Sequence, residues 1–440
     1  MSRGKRILIL GGGFGGVYTA VHLEKILARE EDIEITLISD HNYLLFTPML
    51  PEVPSSSIEA KHIISPIRAF FRKVKFQNTE VHSIDLEKRI VTTLHCPTCK
   101  RLESQFDYLV LTLGSTTNFF GLAGVAENAL PMKTLSDAMT LRNHIIDALE
   151  HADLQTDPVA RKAMLTFVVA GGGFAGVETA AEIGDFIERA GHYYPNFPAQ
   201  EVRVVLVHAG SRIMPEISED LANYALRKLQ KKKVEVLLNT KINSATAEFV
   251  ELADKRRIST KTLIWTAGVA PSPLLATLTC ARNKQGQIVV NKHLEIPNHP
   301  RVYALADCAE ILNPQTGQPY PQTAQHAVRE GKVAAENIAA SMRGTAKRPF
   351  MYKPLGVLVS LGRHSAVAEI LGFKFSGFFA WWLWRTIYLF KLPGLERKLR
   401  VAMDWTLDLF FPRDIVLLEV FMKKNPSEIP MDDPRMAQKE

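Results

Sequence analysis

Two hexapeptides carry most of the chemistry in this 440-residue chain, Gly11-Gly-Gly-Phe-Gly-Gly16 and Gly171-Gly-Gly-Phe-Ala-Gly176. Each follows a short apolar run, Ile7 to Leu10 or Phe167 to Ala170, and each continues as a helical pattern, through Leu27 or through Phe186. G-x-G-x-x-G between a strand and a helix is a pyrophosphate cradle. Its first glycine (Gly11, Gly171) allows a tight turn and its second (Gly13, Gly173) lets backbone approach the phosphates. The third (Gly16, Gly176) lets the helix pack closely on the sheet, with the anion at the positive helix end. A single copy is a weak signal. Two copies in the same context predict two bound dinucleotides.

Further candidates stand at strand ends. The run 33–38 leads to Ser39 and Asp40, and the run 202–207 leads to His208, the places where such a fold reads the adenosine ribose. Either Ser39 or Asp40 can face the first ribose. At position 208 a carboxylate would bond the 2′-hydroxyl of NADH and repel the 2′-phosphate of NADPH. The imidazole of His208 removes that repulsion and Arg212 can meet the phosphate, so NADPH is an expected donor, with the choice between NADH and NADPH open. Later runs end at Gly114 and Gly268, where glycine admits backbone close to a cofactor, and the run 301–306 ends at Asp307. Glu178 is read in the first turn of the second helix. It is either a carboxylate able to relay a proton or a solvated residue stabilised by the helix dipole. Cys96-x-x-Cys99 occupies a hairpin-like position. A four-ligand zinc site would need partners that no second nearby C-x-x-C supplies, so no metal is assigned. Cys308 reads as a small buried thiol.

The elements that must hold these residues imply an α/β fold. Two Rossmann-like dinucleotide-binding domains are expected, the second inserted in the first, with a C-terminal amphipathic helical membrane-associating region. The expected boundaries are 1–120 for the first nucleotide domain, 121–159 for a connecting segment and 160–285 for the second nucleotide domain. The chain then returns to the first domain over 286–345, and 346–440 forms the anchor and dimerisation region. At 46% hydrophobic and 22% charged the chain is neither disordered nor collagen-like, and its length suits more than one domain. Four cysteines suggest a reducing compartment, and the apolar run after the basic start is too short for a signal-peptide core. The net charge of +7 permits nucleic acid or anionic lipid as a partner. Residues 371–424 hold nine Lys/Arg against five Asp/Glu, together with Trp381, Trp382, Trp384 and Trp405. That mixture favours a lipid surface, and no nucleic-acid role is expected. The aromatic run 378–390 is short for a span of about 20 apolar residues and is interrupted by Arg385. A helix lying in the interface fits better, continued by the amphipathic spacing of 395–411; a buried helical pair or dimer contact is the alternative.

Together with Tyr43-Leu-Leu-Phe-Thr-Pro-Met-Leu-Pro51, Val302-Tyr-Ala-Leu-Ala-Asp-Cys308 and Pro321-Gln-Thr-Ala-Gln325, the glycine motifs resemble those of the flavoprotein pyridine-nucleotide oxidoreductases. Within these, the chain is similar to the type II NADH dehydrogenases, single-chain NAD(P)H:quinone oxidoreductases, up to about residue 420. The resemblance implies FAD on Gly11, Gly13 and Gly16, with Asp307 at its ribityl and phosphate region. The nicotinamide nucleotide would lie on Gly171, Gly173 and Gly176. Thr47, Pro48, Ala324 and Gln325 would flank the flavin ring, and Glu178, Gln325 and Arg329 would serve the reaction. It further implies a membrane quinone as acceptor, a peripheral homodimer on the cytoplasmic face of the cell (inner) membrane, and no proton pumping. The chain departs from the pattern in three places. Ser39 stands where the first ribose acid is usual, Ala306 replaces the glycine common before Asp307, and Arg329 puts a charge near the quinone approach where a second glutamine is frequent. Residues 41–60 lack cysteine, so the dithiol relay of disulfide reductases is not expected, and sulfide:quinone chemistry is disfavoured for want of thiols. Rival expectations are a reductase of a protein acceptor such as a ferredoxin, and a nucleotide-responsive binding protein.

Overall fold

Continuous apolar runs bounded by glycine turns form strands buried on both faces, which is the environment of a parallel sheet covered by helices. The computed structural model describes residues 4–95, 100–198 and 200–418. Numbering only the elements used below, the chain opens with β1 (Lys5–Leu10), α1 (Phe14–Ile26), β2 (Ile33–Ser39), β3 (Lys75–Asn78) and β4 (Tyr108–Leu111). It continues through β5 (Ser115–Thr117), β6 (Ala129–Pro131), α2 (Leu135–Leu154), β7 (Thr166–Ala170), α3 (Phe174–Ala190) and β8 (Arg203–Val207). Then come β9 (Val234–Leu237), β10 (Thr262–Trp265), β11 (Val269–Pro271), β12 (Val302–Ala304) and α4 (Ala324–Arg343). The last elements are β13 (Gly356–Ser360), β14 (Ala366–Ile370), β15 (Phe373–Gly377), α5 (Phe378–Lys391) and α6 (Leu395–Phe410).

The first sheet has the order β12-β4-β1-β2-β3, every pair parallel. Its edge strand β12 and the helix α4 arrive only after the second sheet is complete. Helices α1 and α4 meet at two glycines: a Cβ built on Gly331 would lie 2.8 Å from the Gly15 carbonyl oxygen. The second sheet has the order β6-β10-β7-β8-β9, again parallel. Strand β6 comes from the segment expected only to connect. The following helix α2, opened by a reciprocal Thr134–Asp137 capping box, buries Leu141, Ile145 and Leu149 in the same core as Phe186 of α3. An antiparallel ribbon of β5 with β11 ties the two sheets together.

The C-terminal region is not purely helical. An antiparallel meander β13-β14-β15 precedes the helices, and α5 and α6 bury Trp381, Trp384, Val401 and Trp405 against the body of the protein. Among the described residues no helix is long and apolar enough to cross a membrane. Cys96 and Cys99 lie outside the described residues.

Candidate active site

Both glycine cradles are built by steric necessity. Gly11 and Gly171 have φ of +112° and +110°, and a Cβ on Gly16 or Gly176 would fall 1.9 or 1.8 Å from the carbonyl oxygen of the first glycine. No larger residue fits there. The second glycines differ: a Cβ on Gly13 or Gly173 would meet only open space, and each is a helix N-cap without a side-chain cap. Backbone donors of α1 and α3 are thus left facing open volume, which suits a pyrophosphate in each cradle.

At the end of β2, Ser39 is buried directly under the first cradle, where a Cβ on Gly12 would come within 2.6 Å of its Oγ. Asp40 is exposed and pairs with His41 at 2.9 Å, and that bond holds the Asp40 carboxyl below its ordinary range and lifts His41. Asp307 follows β12 and accepts from Ser115 Oγ at 2.5 Å and Lys133 Nζ at 3.2 Å. The adjacent Gly114 has φ +68° and open space on its Cβ side, as a close approach by a cofactor requires. Behind it Cys308 accepts the Gly114 N–H at 3.1 Å, and burial, reinforced by Asp307, pushes its thiol up to about 12. That thiol is inert. Ala306 has φ +60°, the left-handed conformation that glycine would adopt without strain, and its N–H is held by Glu330 Oε2 at 2.8 Å.

The 3-10 turn Thr47–Glu52 carries Thr47 and Pro48, and Ala324 is the first residue of α4. Gln325 is clamped at both ends of its amide. Tyr352 Oη donates to its Oε1 at 3.2 Å and its Nε2 donates to Gly356 O at 3.4 Å. Arg329 Nη1 donates to Gln325 O at 2.7 Å, and its guanidinium lies 4.3 Å from the centroid of the Tyr352 ring. Tyr352 therefore joins Gln325 and Arg329 into one unit. The sequence gives no local sign of this, because Tyr352 lies beyond the end of α4.

Glu178 is the fifth residue of α3 rather than part of its first turn, and it is 9% exposed, so the solvated reading does not hold. Its Oε1 accepts the Ser360 N–H of β13 at 2.9 Å. Burial raises its pKa to about 8, opposed by that bond and reinforced by Glu52 and Glu182. The Tyr388 phenol of α5 is raised by burial and by Glu178. One helical turn beyond, Glu182 Oε2 accepts from Ser55 Oγ at 2.7 Å and Arg413 Nη1 at 3.2 Å. Glu52 Oε2 accepts from Trp405 Nε1 at 2.7 Å, and burial followed by repulsion from Glu182 raises its pKa to about 8. The i, i+4 spacing of Glu178 and Glu182 could have placed both on one helix face. Glu52 and Arg413 carry no such signal.

On the second cradle, His208 Nδ1 accepts the Gly172 N–H at 3.1 Å, which leaves the ring proton on Nε2. His208, Ser211, Arg212, Glu219 and Asn223 line an open groove of about 610 Å³. Arg212 is anchored in its wall by Nη2 bonds to Pro215 O at 2.8 Å and Ile217 O at 3.3 Å. At Gly268 the missing side chain makes room for the Phe120 ring, since a Cβ there would lie 2.4 Å from Phe120 Cζ.

On the outer face of α6, Leu395, Leu399, Met403, Leu407 and Phe410 are all exposed at one-turn spacing, beside the exposed Phe379, Trp382 and Phe390 of α5. Arg400 and Lys398 lie on the same helix α6, with Lys398 donating to Phe390 O.

Residues 5–331 match the family model described as pyridine nucleotide-disulphide oxidoreductase, and residues 355–414 match the NDH2 C-terminal domain. The chain is 31% identical over 420 residues to a probable NADH dehydrogenase of Dictyostelium discoideum, covering 93% of this chain and 91% of that one. It is 31% identical to the type II NADH:quinone oxidoreductase NdhA of Mycobacterium tuberculosis, covering 91% of this chain and 86% of the relative. In fold it is similar to NDH2 from Plasmodium falciparum, solved in complex with NADH. The TM-score is 0.87 at 21% identity, with 94% of this chain and all of that chain covered.

Proposed function

Because the chain belongs to the pyridine nucleotide-disulphide oxidoreductase family and, within it, to the type II NADH:quinone oxidoreductases, we propose that it oxidises NADH or NADPH and reduces a membrane quinone, with FAD as its cofactor. The observation that carries this reading is the pair of cradles, each tight at its third glycine and open at its second. Bound FAD supplies the chemistry of accepting a hydride and passing two electrons onward.

The chain's own groups then have distinct tasks. Gly11, Gly13 and Gly16 hold the FAD pyrophosphate, and Asp307, steadied by Lys133 and Ser115, bonds the ribityl region. Ser39, under the cradle, is the better placed of the two candidates for the ribose. Thr47, Pro48, Ala324 and Gln325 bound the ring site. Glu178 holds a proton near neutral pH and can deliver it to the reduced acceptor, and the Gln325–Tyr352–Arg329 unit orients the quinone head. Gly171, Gly173 and Gly176 hold the nicotinamide nucleotide. His208 offers an N–H where a carboxylate would repel a 2′-phosphate, so NADPH is accepted alongside NADH.

The exposed apolar stripe of α6 and its basic neighbours support a peripheral seat on the cytoplasmic face of the cell membrane, from which a lipid quinone enters. Such a chain moves electrons without pumping protons, and a homodimer through the C-terminal region is part of the same reading. Anaerobic stopped-flow absorbance tests the core claim. Purified yellow protein should bleach with NADH or NADPH and regain its colour with a quinone. Failure of a quinone to restore the colour of bleached protein would remove the proposal.

A further inference from the structure

Phe120 is an aromatic side chain in a costly and exposed conformation. Its φ is +55°, rare for a bulky residue, and it is 58% exposed. The surroundings over-determine that conformation. Asn118 N–H donates to Gly268 O at 3.1 Å, Trp265 Nε1 donates to Asn118 O at 2.8 Å, and the Phe120 N–H is taken by Asn118 Oδ1 at 2.8 Å. Gly268 has no positive φ, so its backbone does not need glycine; what needs glycine is the Phe120 ring lying against it. A strained residue held this firmly, with more than half of its surface open, is a common feature of ligand clamps.

The sheet order says which part of a ligand the ring would meet. Strands β8 and β10 flank β7 on opposite sides. His208 ends β8, on the side of the adenosine ribose, and the pyrophosphate cradle lies between β7 and α3. A dinucleotide crossing the carboxyl edge of the sheet therefore extends its other half towards the end of β10. There the chain 266–268 touches the cradle itself: a Cβ on Gly171 would come within 2.8 Å of Ala267 Cα. Phe120 sits on this end of the strand. We propose that Phe120 is the aromatic wall of the nicotinamide half of the nucleotide site, seated by the absent side chain of Gly268. This rests on the reading of Gly171 to Gly176 as a nucleotide cradle.

The test is calorimetric titration of oxidised holoenzyme with NAD⁺ and, separately, with ADP, which lacks the nicotinamide riboside. Phe120→Ala should weaken NAD⁺ binding roughly tenfold, the scale of a lost aromatic contact, and leave ADP binding within about twofold. Phe120→Tyr should keep the wild-type affinity for both ligands. Gly268→Ala, which displaces the ring, should reproduce the Phe120→Ala pattern. Phe120→Leu retains apolar cover on Trp265, so it serves where the alanine variant fails to fold, and it should also lose NAD⁺ selectively. Unchanged NAD⁺ affinity in a folded Phe120 variant would overturn the proposal, and so would equal losses for NAD⁺ and ADP. Wild-type protein that bound neither ligand would instead overturn the nucleotide reading beneath it.

Discussion

The Glu178 carboxylate accepts the backbone N–H of Ser360 at 2.9 Å, so the helix that opens the nucleotide cradle is bonded directly to the C-terminal sheet. Ser360 thereby orients the buried acid proposed to deliver the proton. Glu178→Gln keeps the size and the acceptor oxygen but removes the transferable proton. Quinone reduction should fall by about 100-fold, the lower end of general-acid effects, while reduction of the enzyme by NADH should stay within about threefold. Rapid-mixing measurement of the two half-reactions checks this. Equal losses in both would assign Glu178 a structural task only.

Two buried carboxyls also make stability depend on pH, in the direction opposite to an ordinary ion pair. Glu178 and Glu52 both rise from 4.5 to about 8 because burial disfavours their charged forms. Between those values the folded state binds more protons than the unfolded one, so stability falls as pH rises. The contribution is full below about pH 4.5, shrinks through the neutral range, and stops changing above about pH 8. Each group can contribute a slope of up to about 1.4 kcal/mol per pH unit. Melting curves from pH 5.5 to 9 should show the decline, and Glu52→Gln with Glu178→Gln should lessen it, while Glu330, raised by burial to about 7, keeps a share of the slope.

Donor selectivity should turn on His208. Its ring is fixed by the Gly172 N–H and lines the same groove as Arg212. His208→Glu replaces a donor with an anion facing the position of a 2′-phosphate. The ratio of kcat/KM for NADPH to that for NADH should drop by at least about tenfold, equivalent to ~1.4 kcal/mol. A ratio unmoved by this change would show that position 208 does not read the ribose.

What the sequence made legible follows the range of the forces involved. Gly16 and Gly176 could be assigned because the requirement for glycine is set by a carbonyl five residues earlier. Asp307 could be singled out as a candidate from the end of its strand. The Lys133 that meets it could not, since the contact joins residues 174 positions apart. That Phe120 packs against Gly268 was not legible either, because only the folded chain brings the two together. The meander of β13 to β15 consists of strands of only five residues, too short for periodicity to separate from loop. The pocket of Glu52, Glu182 and Arg413 joins three distant segments, and only Glu182, one turn from Glu178, left a trace in local pattern.

The exposed stripe of α6 gives a surface test with little cost to the fold. Leu399 and Met403 are 63% and 64% exposed, so replacing both with Glu removes no core packing. Binding to vesicles containing anionic lipid should fall by more than about tenfold, since each buried apolar side chain contributes roughly 1.5–3 kcal/mol. Melting temperature and turnover with a water-soluble quinone should hardly change. Retained vesicle binding in the double variant would move the membrane contact away from α6.

The tail after α6 is held by a buried cation. Arg413 donates from Nη1 to Glu182 Oε2 at 3.2 Å and from Nε to Asp408 Oδ1 at 3.0 Å, while Arg189 Nη1 meets the same Asp408 oxygen at 2.6 Å. All of the Arg413, Glu182 and Asp408 side chains are at most 5% exposed. A charge in such a place is tolerable only while its partner remains. Arg413→Met should therefore cost about 3–5 kcal/mol, mostly through the unpaired Glu182. Asp408 keeps Arg189 and should suffer less. Adding Glu182→Gln removes the stranded charge, so the double variant should recover much of the loss. Tryptophan fluorescence during guanidinium unfolding reads this unit, because Trp381, Trp384 and Trp405 pack into the same core. Additive losses in the double variant would show that Arg413 holds the tail by packing rather than by charge.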